Sequence, residues 1–494
     1  MQATIWTLLP PIIAIALALI TKEVYSSLLI GILSGALLYT GFSPLSAVET
    51  TFSIMGEKIG GNVNILIFLV LLGILVALVT KSGASRAYGE WASRRITSRR
   101  GALLATSALG VLIFVDDYFN CLTVGTVMRP VTDKYKVSRA KLSYIIDATA
   151  APICIIAPIS SWAAAVGSSM PEGSEIDGFN LFLRTIPFNL YALLTLGFIV
   201  WLMVWDKDIF AMKEYQKKLG AKSDSLNTET HVVGGMGKVK DLIVPILFLI
   251  VSCIAAMMYT GGILESGNIV DAFANCDSSA SLVLGSFFTL VFTFIMYVPR
   301  GILNFGQFCE SFTEGFKAMV PAIMILCLAW TLSGVCSADY LNIGGYVDSV
   351  VRGNAMIIRL MPAIFFLISL GLAFATGTSW GTFGILIPIA VIVFQNQLCE
   401  LLVVTVAACL AGAVCGDHIS PISDTTILAS AGAQCNHIDH VSTQIPYALS
   451  VAVMCFCGYL VAGFSGSGWA GLATGAVLLA VFAAVMVARE RKAS

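Results

Sequence analysis

Long runs of apolar residues, separated by polar loops, make up most of the chain. An apolar helix of about 20 residues is long enough to cross the ~30 Å hydrocarbon core of a bilayer. The pattern therefore predicts eleven membrane spans, at 5–20, 25–41, 63–79, 142–167, 186–205, 242–258, 280–297, 318–335, 398–432, 446–464 and 469–488. Two further apolar runs, 102–128 and 361–395, contain polar residues in their middle, and each predicts a re-entrant hairpin or a pair of helices.

The composition agrees with a membrane protein. Hydrophobic residues make up 57% of the chain and charged residues only 12%, whereas about 25% of the residues of a soluble domain are charged. No Lys or Arg precedes the first apolar run and no small-residue cleavage site follows it, so we expect no removable signal peptide. The 13 cysteines form no C-x-x-C pair, and we expect buried thiols and no metal centre.

Basic residues are concentrated in a few loops, and cytoplasmic loops of membrane proteins carry an excess of Lys and Arg. The clusters lie at 81–100, 129–141, 206–240 and 489–492. An external N-terminus and a cytoplasmic C-terminus leave only four of the 28 basic residues outside, namely Lys58, Arg184, Arg352 and Arg359. We therefore expect a multi-pass protein of the cell inner or plasma membrane with this orientation.

Polar, helix-breaking motifs interrupt the apolar runs twice, in the same order. Residues 116–120 are followed by the break at 157–161, and residues 376–381 by the break at 420–424. The predicted orientation gives the two sets opposite directions across the membrane. Broken helices at membrane depth and inverted repeats are typical of secondary transporters. We predict an all-α polytopic membrane protein with inverted structural repeats, re-entrant hairpins and discontinuous helices.

This repeat predicts how the chain is divided, with no separate soluble domain. The predicted parts are N-terminal scaffold helices at 1–60, a first inverted repeat at 61–205, a cytoplasmic linker at 206–240, connecting transmembrane helices at 241–300, a second inverted repeat at 301–464, and a C-terminal helix with a cytoplasmic tail at 465–494. Within the repeats, 63–167 is expected to superpose on 318–432 after an in-plane two-fold rotation.

Carboxylate, hydroxyl and amide oxygens within the breaks are candidate ligands for a small alkali cation. An ionised carboxylate inside an apolar segment is costly unless it is paired, hydrated or bound to a cation, and hard oxygen ligands suit hard cations. The candidates for cation and proton binding are Asp116, Asp117, Asn120, Thr123, Asp147, Asp417, Ser420, Ser423, Asp424 and Thr425. Helix capping, core hydrogen bonding or an interfacial position could also explain individual members of this set.

A second set of polar and aromatic residues could hold a small organic solute. Hydroxyl groups near half-helix N-termini can bind a carboxylate, and indole rings can wall a solute. The candidates are Ser160, Ser161, Trp162, Thr376, Thr378, Ser379, Trp380 and His418. Packing could also explain the two tryptophans, and His418 could instead tune the proton affinity of Asp417. The segment His437–His440 resembles a metal motif but lacks further ligands, and we expect a polar loop or gate there.

The motifs at the breaks resemble a known family. Phe114–Tyr118, Met128–Asp133 and Ile146–Pro152 resemble the first signature region of the NhaC family of sodium/proton antiporters, and Gly377–Thr382 and Gly416–Thr426 resemble the second. The resemblance covers residues from about 60 to 460. It implies the ion-transporter superfamily, with inverted repeats, paired hairpins and a scaffold that supports a homodimer and elevator-like motion. The family includes sodium/proton antiporters, a malate/lactate exchanger and proteins proposed to move other organic solutes.

The sequence thus favours a secondary active transporter, most simply a sodium/proton antiporter. Carboxylates that release a proton to bind a cation make the two ions compete for one site, and this competition is sufficient for antiport. The alternative is sodium- or proton-coupled transport or exchange of a small organic acid or amino acid. We expect no enzymatic activity, since no Gly-x-Gly-Asp motif is present. We expect no cofactor besides the transported sodium and protons, and no partner besides small ions, a possible organic solute, membrane lipid and a second copy of the chain.

Overall fold

A computed structural model describes residues 3–21, 23–171, 174–221, 236–267, 272, 276–343, 345–346 and 355–493. The regular structure in this part of the chain is helical. The first half contains α1 Leu9–Thr21, α2 Val24–Tyr39, α3 Pro44–Gly61, α4 Val63–Lys81, α5 Ala84–Arg95, α6 Arg99–Leu112, α7 Asp117–Lys134, α8 Arg139–Cys154, α9 Ser161–Gly167, α10 Gly178–Thr185 and α11 Leu190–Trp205. Short 3-10 turns at Ile5–Leu8 and Ile186–Phe188 precede α1 and α11.

The remaining helices follow in chain order. They are α12 Phe210–Ala221, α13 Val239–Thr260, α14 Ile263–Ser266, α15 Ser278–Tyr297, α16 Phe305–Cys336, α17 Ala355–Thr376, α18 Ser379–Val393, α19 Glu400–Ile419, α20 Asp424–Ala433, α21 His437–Ser465 and α22 Gly468–Ala493. The predicted all-helical membrane fold is confirmed. The proposed division into repeats and linkers stays a prediction, and Arg352 lies outside the described residues.

Seven helices of the described residues are long and apolar enough to cross a membrane, or up to ten if each bent helix pair forms one span. The predicted spans at 63–79, 242–258 and 280–297 coincide with α4, α13 and α15. Among the described helices, the longest that lies outside every predicted apolar run is α3, which follows α2 at an angle of 118°. Its Glu49, Glu57 and Lys58 interrupt the apolar pattern, which hid it from a search for apolar runs.

Each of the four predicted breaks separates two helices. The runs 102–128 and 361–395 form the pairs α6–α7 and α17–α18, and the runs 142–167 and 398–432 form α8–α9 and α19–α20. In the last two runs, Pro158 and Pro421 lie within the break, where proline removes a backbone donor that a continuous helix would need. Each interrupted apolar run therefore forms two helices joined at its break, and the re-entrant hairpin stays a prediction.

In each half of the chain one backbone hydrogen bond connects the two breaks, and the bonds in the two halves are equivalent. We call the region where the breaks meet the crossing. The backbone N–H of Ser161, the first residue of α9, donates to the Val115 carbonyl over 2.9 Å, and that of Asp424, the first residue of α20, donates to the Gly377 carbonyl over 3.4 Å. We call the helices that follow the breaks, α7, α9, α18 and α20, half-helices. Val115 lies two residues before α7, and Gly377 lies two residues before α18. This correspondence supports the predicted pairing of the breaks.

The half-helices are held together by close backbone contact. A β-carbon on Gly125 of α7 would lie 2.5 Å from the carbonyl carbon of Gly432 on α20. The helix α20 also packs against α8, while α4 packs against α16 on another side of the molecule. This packing brings the N-terminal ends of four half-helices, α7, α9, α18 and α20, together with α8 and the end of α19.

The segment His437–His440, predicted to be a polar loop or gate, is instead the first turn of α21. Asn436 caps this helix by accepting hydrogen bonds from the N–H groups of Ile438 and Asp439. His440 is completely buried, because α21 starts against α8 and α20. The loop prediction is therefore wrong for this segment.

Candidate functional site

Two buried carboxylates, one from each predicted repeat, are linked through the first turn of α20. Thr426 donates its hydroxyl hydrogen bond to Oδ2 of Asp147 on α8 over 3.0 Å. The preceding Thr425 donates to Oδ2 of Asp417, in the last turn of α19, over 3.3 Å. Both aspartates are at most 3% exposed. Neighbouring hydroxyl groups on one helix turn therefore contact both carboxylates.

Asp417 also contacts the N-terminal end of α18. The Ser379 hydroxyl lies 3.0 Å from Oδ2 of Asp417 and 3.1 Å from the Ala413 carbonyl, so its single proton is shared between two acceptors. Ser423 caps α20 by accepting from the Thr426 N–H over 3.2 Å, and its hydroxyl lies 3.1 Å from that of Thr425. Oxygen atoms from both breaks of the second half thus converge on Asp417.

Asp117 begins α7 and is 1% exposed. Neither of its carboxylate oxygens has a hydrogen-bond partner within the described part of the chain, and the same is true of the Ser161 hydroxyl. Asp116 is equally buried and interacts with neighbouring groups. A carboxylate in this setting requires a proton or a bound cation to offset its loss of hydration.

Two other carboxylates of the site, Asp147 and Asp417, also lack some of their hydrogen-bond partners in the described structure. Oδ1 of Asp147 and Oδ1 of Asp417 are buried and have no hydrogen-bond partner among the described residues. Within the same residues, no Lys or Arg forms an ion pair with Asp117, Asp147 or Asp417, whereas Asp208 is paired with Lys141 over 2.8 Å. Three buried carboxylates without a Lys or Arg partner can accept protons or small cations.

Several predicted site residues make backbone hydrogen bonds that stabilise the breaks. Ser160 caps α9 and also contacts the Cys154 carbonyl over 2.8 Å, and Ser420 donates to the Phe374 carbonyl over 2.7 Å. The amide nitrogen of Asn120 donates to the carbonyls of Gly110 and Ile113, near the end of α6, and of Thr149. The Asn120 oxygen has no partner in the described structure and is free to bind another group.

The remaining hydroxyl candidates lie around the crossing. Thr123 and Thr378 are buried, whereas Thr376 is half-buried and donates to the Leu372 carbonyl of its own helix. Asp424 is exposed, and the Tyr118 hydroxyl lies 3.5 Å from its Oδ2. Asp424 is therefore the exposed carboxylate beside the buried ones.

The two predicted tryptophans contact each other across the crossing. The ring centroids of Trp162 and Trp380 are 5.9 Å apart, and Phe383 contacts both rings at 5.5 and 5.8 Å. Both indole nitrogens are buried and have no hydrogen-bond partner among the described residues. Buried indole N–H groups usually find such a partner, so both can still donate to a bound species.

A cleft of about 330 Å³ lies between α3 and α16 on one side and α9 and α18 on the other. Lys58, Ser169, Trp330 and Gly384 contribute to its lining. Among the described residues, none of those predicted to bind ions or a solute lines this cleft. Its volume falls within the ~300–1,000 Å³ range of small-molecule pockets.

Sequence reasoning missed a second polar group around Asp147. Gln444 on α21 donates to Oδ2 of Asp147 over 2.7 Å and to the His418 carbonyl over 2.7 Å. Nε2 of His418 lies 3.9 Å from Oδ1 of Asp147, and its Nδ1 lies 3.2 Å from the Tyr191 hydroxyl. Gln444 precedes the predicted run 446–464 and follows two other polar residues, Ser442 and Thr443, so no local signal distinguished it.

Comparison with known proteins agrees with this architecture. The model of the Na+/H+ antiporter family matches residues 163–464. A Haemophilus influenzae protein of uncharacterised function is 41% identical over 97% of this chain and 95% of its own length. The Malate-2H(+)/Na(+)-lactate antiporter of Bacillus subtilis is 28% identical over 37% of this chain and 42% of its own length.

A solved transporter structure shares the fold. The crystal structure of the YdaH transporter of Alcanivorax borkumensis matches 88% of this chain and 88% of that chain, with a TM-score of 0.55 and 12% sequence identity. The predictions of a multi-pass membrane transporter, and not an enzyme, are confirmed by the family match, whereas the binding roles of individual residues stay predictions. Since the family model covers well over half of the sequence, the chain belongs to the Na+/H+ antiporter family.

Proposed function

We propose that this protein exchanges sodium for protons across the membrane. The observation that carries the proposal is the set of three buried carboxylates without a Lys or Arg partner among the described residues, Asp117, Asp147 and Asp417. They meet at helix breaks, where backbone and hydroxyl oxygens add hard ligands. The fold and the family support transport, and the carboxylates supply charges that protons and sodium can neutralise in turn.

In this proposal Asp417 and Asp117 bind sodium, and Asp147 relays protons. Sodium requires the ionised form of the two binding carboxylates, so a proton must leave before the cation binds. Thr425 contacts Asp417 and Thr426 contacts Asp147, so adjacent residues of α20 couple the two carboxylates. The Asn120 oxygen, Ser161 and Ser423 are further candidate oxygen ligands.

Alternating access then requires the half-helices to move relative to the helices around them. The cleft lined by α3, α9, α16 and α18 opens along this boundary, and beside it α18 packs directly against α16. We propose an external N-terminus and a cytoplasmic C-terminus, because the basic loops then face the cytoplasm. We also propose a homodimer in the lipid bilayer, as the family resemblance implies.

The test is reconstitution into proteoliposomes that contain an internal pH dye. We expect sodium alone to drive proton movement in the opposite direction, with lithium and potassium tested in parallel. A panel of carboxylates and amino acids is then added at constant sodium concentration. Proton movement that appears only with an organic solute would overturn simple antiport.

The second candidate function is ion-coupled transport of a small organic acid or amino acid. The buried indole N–H groups of Trp162 and Trp380, which have no hydrogen-bond partner among the described residues, support it. The named function of the Bacillus subtilis relative, which is similar to part of this chain, also supports it. Such a solute would bind where the two tryptophans meet, next to the ion-binding carboxylates.

Substitution of Trp162 or Trp380 with Phe separates the two functions. For a simple sodium/proton antiporter we expect a change in stability or rate, with the apparent sodium affinity nearly unaltered. If the rings contact a solute, the loss of an aromatic contact worth about 1 kcal/mol weakens solute affinity severalfold at constant sodium affinity. Trp91→Phe, at an exposed position on α5, is the matched control. Tryptophan fluorescence that responds to a solute but not to sodium alone would favour the organic-solute function.

A further inference from the structure

A chain of hydrogen bonds leads from Asp147 to a half-exposed histidine at the surface. The nitrogen of Gln444 donates to Asp147, and the Oε1 of Gln444 lies 2.9 Å from Nε2 of His440. Nδ1 of His440 lies 2.8 Å from the Ser430 hydroxyl, which is 3.1 Å from Nδ1 of His437. The antiport function proposed above does not by itself account for this chain.

The outer end of the chain is fixed by a backbone carbonyl. Nε2 of His437 lies 2.7 Å from the Pro421 carbonyl in the break between α19 and α20. A carbonyl can only accept, so Nε2 of His437 carries a proton. The neutral form of His437 therefore presents a bare Nδ1 to Ser430.

The orientation of Gln444 fixes the state of His440 in the same way. The nitrogen of Gln444 contacts the His418 carbonyl, which can only accept, so its Oε1 faces His440. Nε2 of His440 must then carry a proton to donate to this oxygen. Neutral His440 consequently also presents a bare Nδ1 to Ser430.

Ser430 cannot satisfy two neutral imidazoles. Its hydroxyl has one proton, and the Thr426 carbonyl at 2.8 Å is already an acceptor for it. One additional proton on either Nδ1 resolves this conflict, because that ring then donates to the Ser430 oxygen while the hydroxyl donates onward. Two additional protons would also satisfy the hydrogen bonds, but they would place two cations on either side of one oxygen atom, where they repel each other.

We propose that His437 and His440 share one additional proton through Ser430 and exchange it with Asp147. The inference rests on the proposed antiport function, for which it supplies the proton route. In the transfer step the proton leaves Nε2 of His440 for Oδ2 of Asp147, 4.0 Å away, while Nδ1 keeps the additional proton. The Gln444 amide turns over so that its nitrogen donates to the bare Nε2 and its oxygen accepts from the protonated Asp147. The imidazolium becomes a neutral imidazole and the carboxylate becomes a carboxylic acid, so that charge and protons balance.

The surroundings of the pair contain both signs of charge. The ionisable groups that face it or its immediate neighbours are Asp147 and Arg139 on α8, Asp133 on α7, His418 on α19, Cys435 and Asp439 beside the pair, and Tyr215 on α12. Asp147 is the carboxylate nearest to His440, and Arg139 is ion-paired with Asp133 over 3.4 Å. The attraction of the buried Asp147 carboxylate opposes the cost of burying a cationic His440.

The sequence contains only four histidines, so the proton count can be measured directly. The full chain is prepared in lipid nanodiscs with 15N-labelled imidazole rings, and the signals are assigned with single histidine variants. At pH 7.5 we expect three N–H protons on the two rings of His437 and His440, in exchange between their Nδ1 atoms. In the Ser430→Ala variant the two rings should titrate independently. Two neutral rings in the unmodified protein would overturn the proposal.

Transport measurements test whether the shared proton is the one exchanged. Ser430→Ala should slow sodium-driven proton flux in proteoliposomes about tenfold or more, within the range of positioned proton-transfer groups, and should shift its pH profile. Ser450→Ala is the matched control, because the Ser450 hydroxyl also donates to the carbonyl four residues earlier, that of Pro446. His440→Gln, which can still donate to Gln444, is a second variant if Ser430→Ala does not fold.

The outcomes separate this inference from the proposed function. If the unmodified protein shows no sodium-driven proton flux, antiport and the transfer step both fail, while the NMR proton count still decides whether the pair shares a proton. If the unmodified protein exchanges sodium for protons and both variants retain its rate and pH profile, antiport stands and the relay is overturned.

Discussion

Replacing Asp417 with Asn should abolish sodium-coupled proton flux in proteoliposomes. The amide retains the shape of the carboxylate and still accepts from Ser379 and Thr425, whose hydroxyls contact Oδ2 at 3.0 and 3.3 Å. It cannot carry the negative charge for which sodium and protons compete. The expected flux is that of liposomes without protein, at every sodium concentration and pH.

The same variant should remain folded. Burying an ionised carboxylate costs several kcal/mol unless it is compensated, so the amide should be at least as stable as the native protein in sodium-free buffer. Sodium should raise the unfolding temperature of the native protein but have a much smaller effect on the variant. For a ligand at about 100 times its Kd, the stabilisation that binding provides is ~2.7 kcal/mol.

The matched control is Asp133→Asn, which removes a half-exposed carboxylate of α7 that is paired with Arg139. This variant should keep both flux and the response to sodium. If Asp417→Asn transported with unchanged dependence on sodium and pH, Asp417 would be a structural residue of the break, and the binding role proposed for it would be wrong.

The positions of the breaks could be predicted because their signals are local. Pro158 and Pro421 remove helical donors, and Asp116 and Asp117 place carboxylates within an apolar run. Proline alone does not determine a break, however, because Pro130, Pro152 and Pro388 lie inside helices; the predicted breaks combine such a residue with polar neighbours. The structure accordingly separates helices at all four predicted breaks.

The composition of the site was harder to predict because it depends on contacts between distant segments. Gln444 contacts Asp147 from 297 positions away along the chain, and no local pattern in α21 indicates this contact. The adjacent serines Ser160 and Ser161 are equivalent in sequence, yet Ser160 is saturated by backbone groups while Ser161 has no partner among the described residues. Such differences are set by the direction of each side chain at the crossing.

Gly377→Ala should strongly destabilise the protein. Gly377 has a φ of +69°, and a β-carbon there would lie 2.4 Å from the Ile422 carbonyl oxygen. The left-handed conformation costs an L-residue about 1–2 kcal/mol, and the clash requires the two breaks to separate. Because Ile422 belongs to the break that leads into α20, the whole crossing must shift.

The shift should impair function as well as stability, because Gly377 lies two residues before Ser379. Separating the breaks moves the Ser379 hydroxyl away from Asp417 and lengthens the hydrogen bond between Asp424 and the Gly377 carbonyl. Gly466→Ala is the matched control, since Gly466 has a φ of +71° but no atom within 4 Å of the added β-carbon. The control should lose only the part of the unfolding free energy that the left-handed conformation costs, and it should keep transport. Gly377→Ala should lose several kcal/mol of unfolding free energy and sodium-driven flux. Thermal unfolding in detergent and proteoliposome flux measure the two effects, and equal losses in both variants would show that the crossing is not closely packed at Gly377.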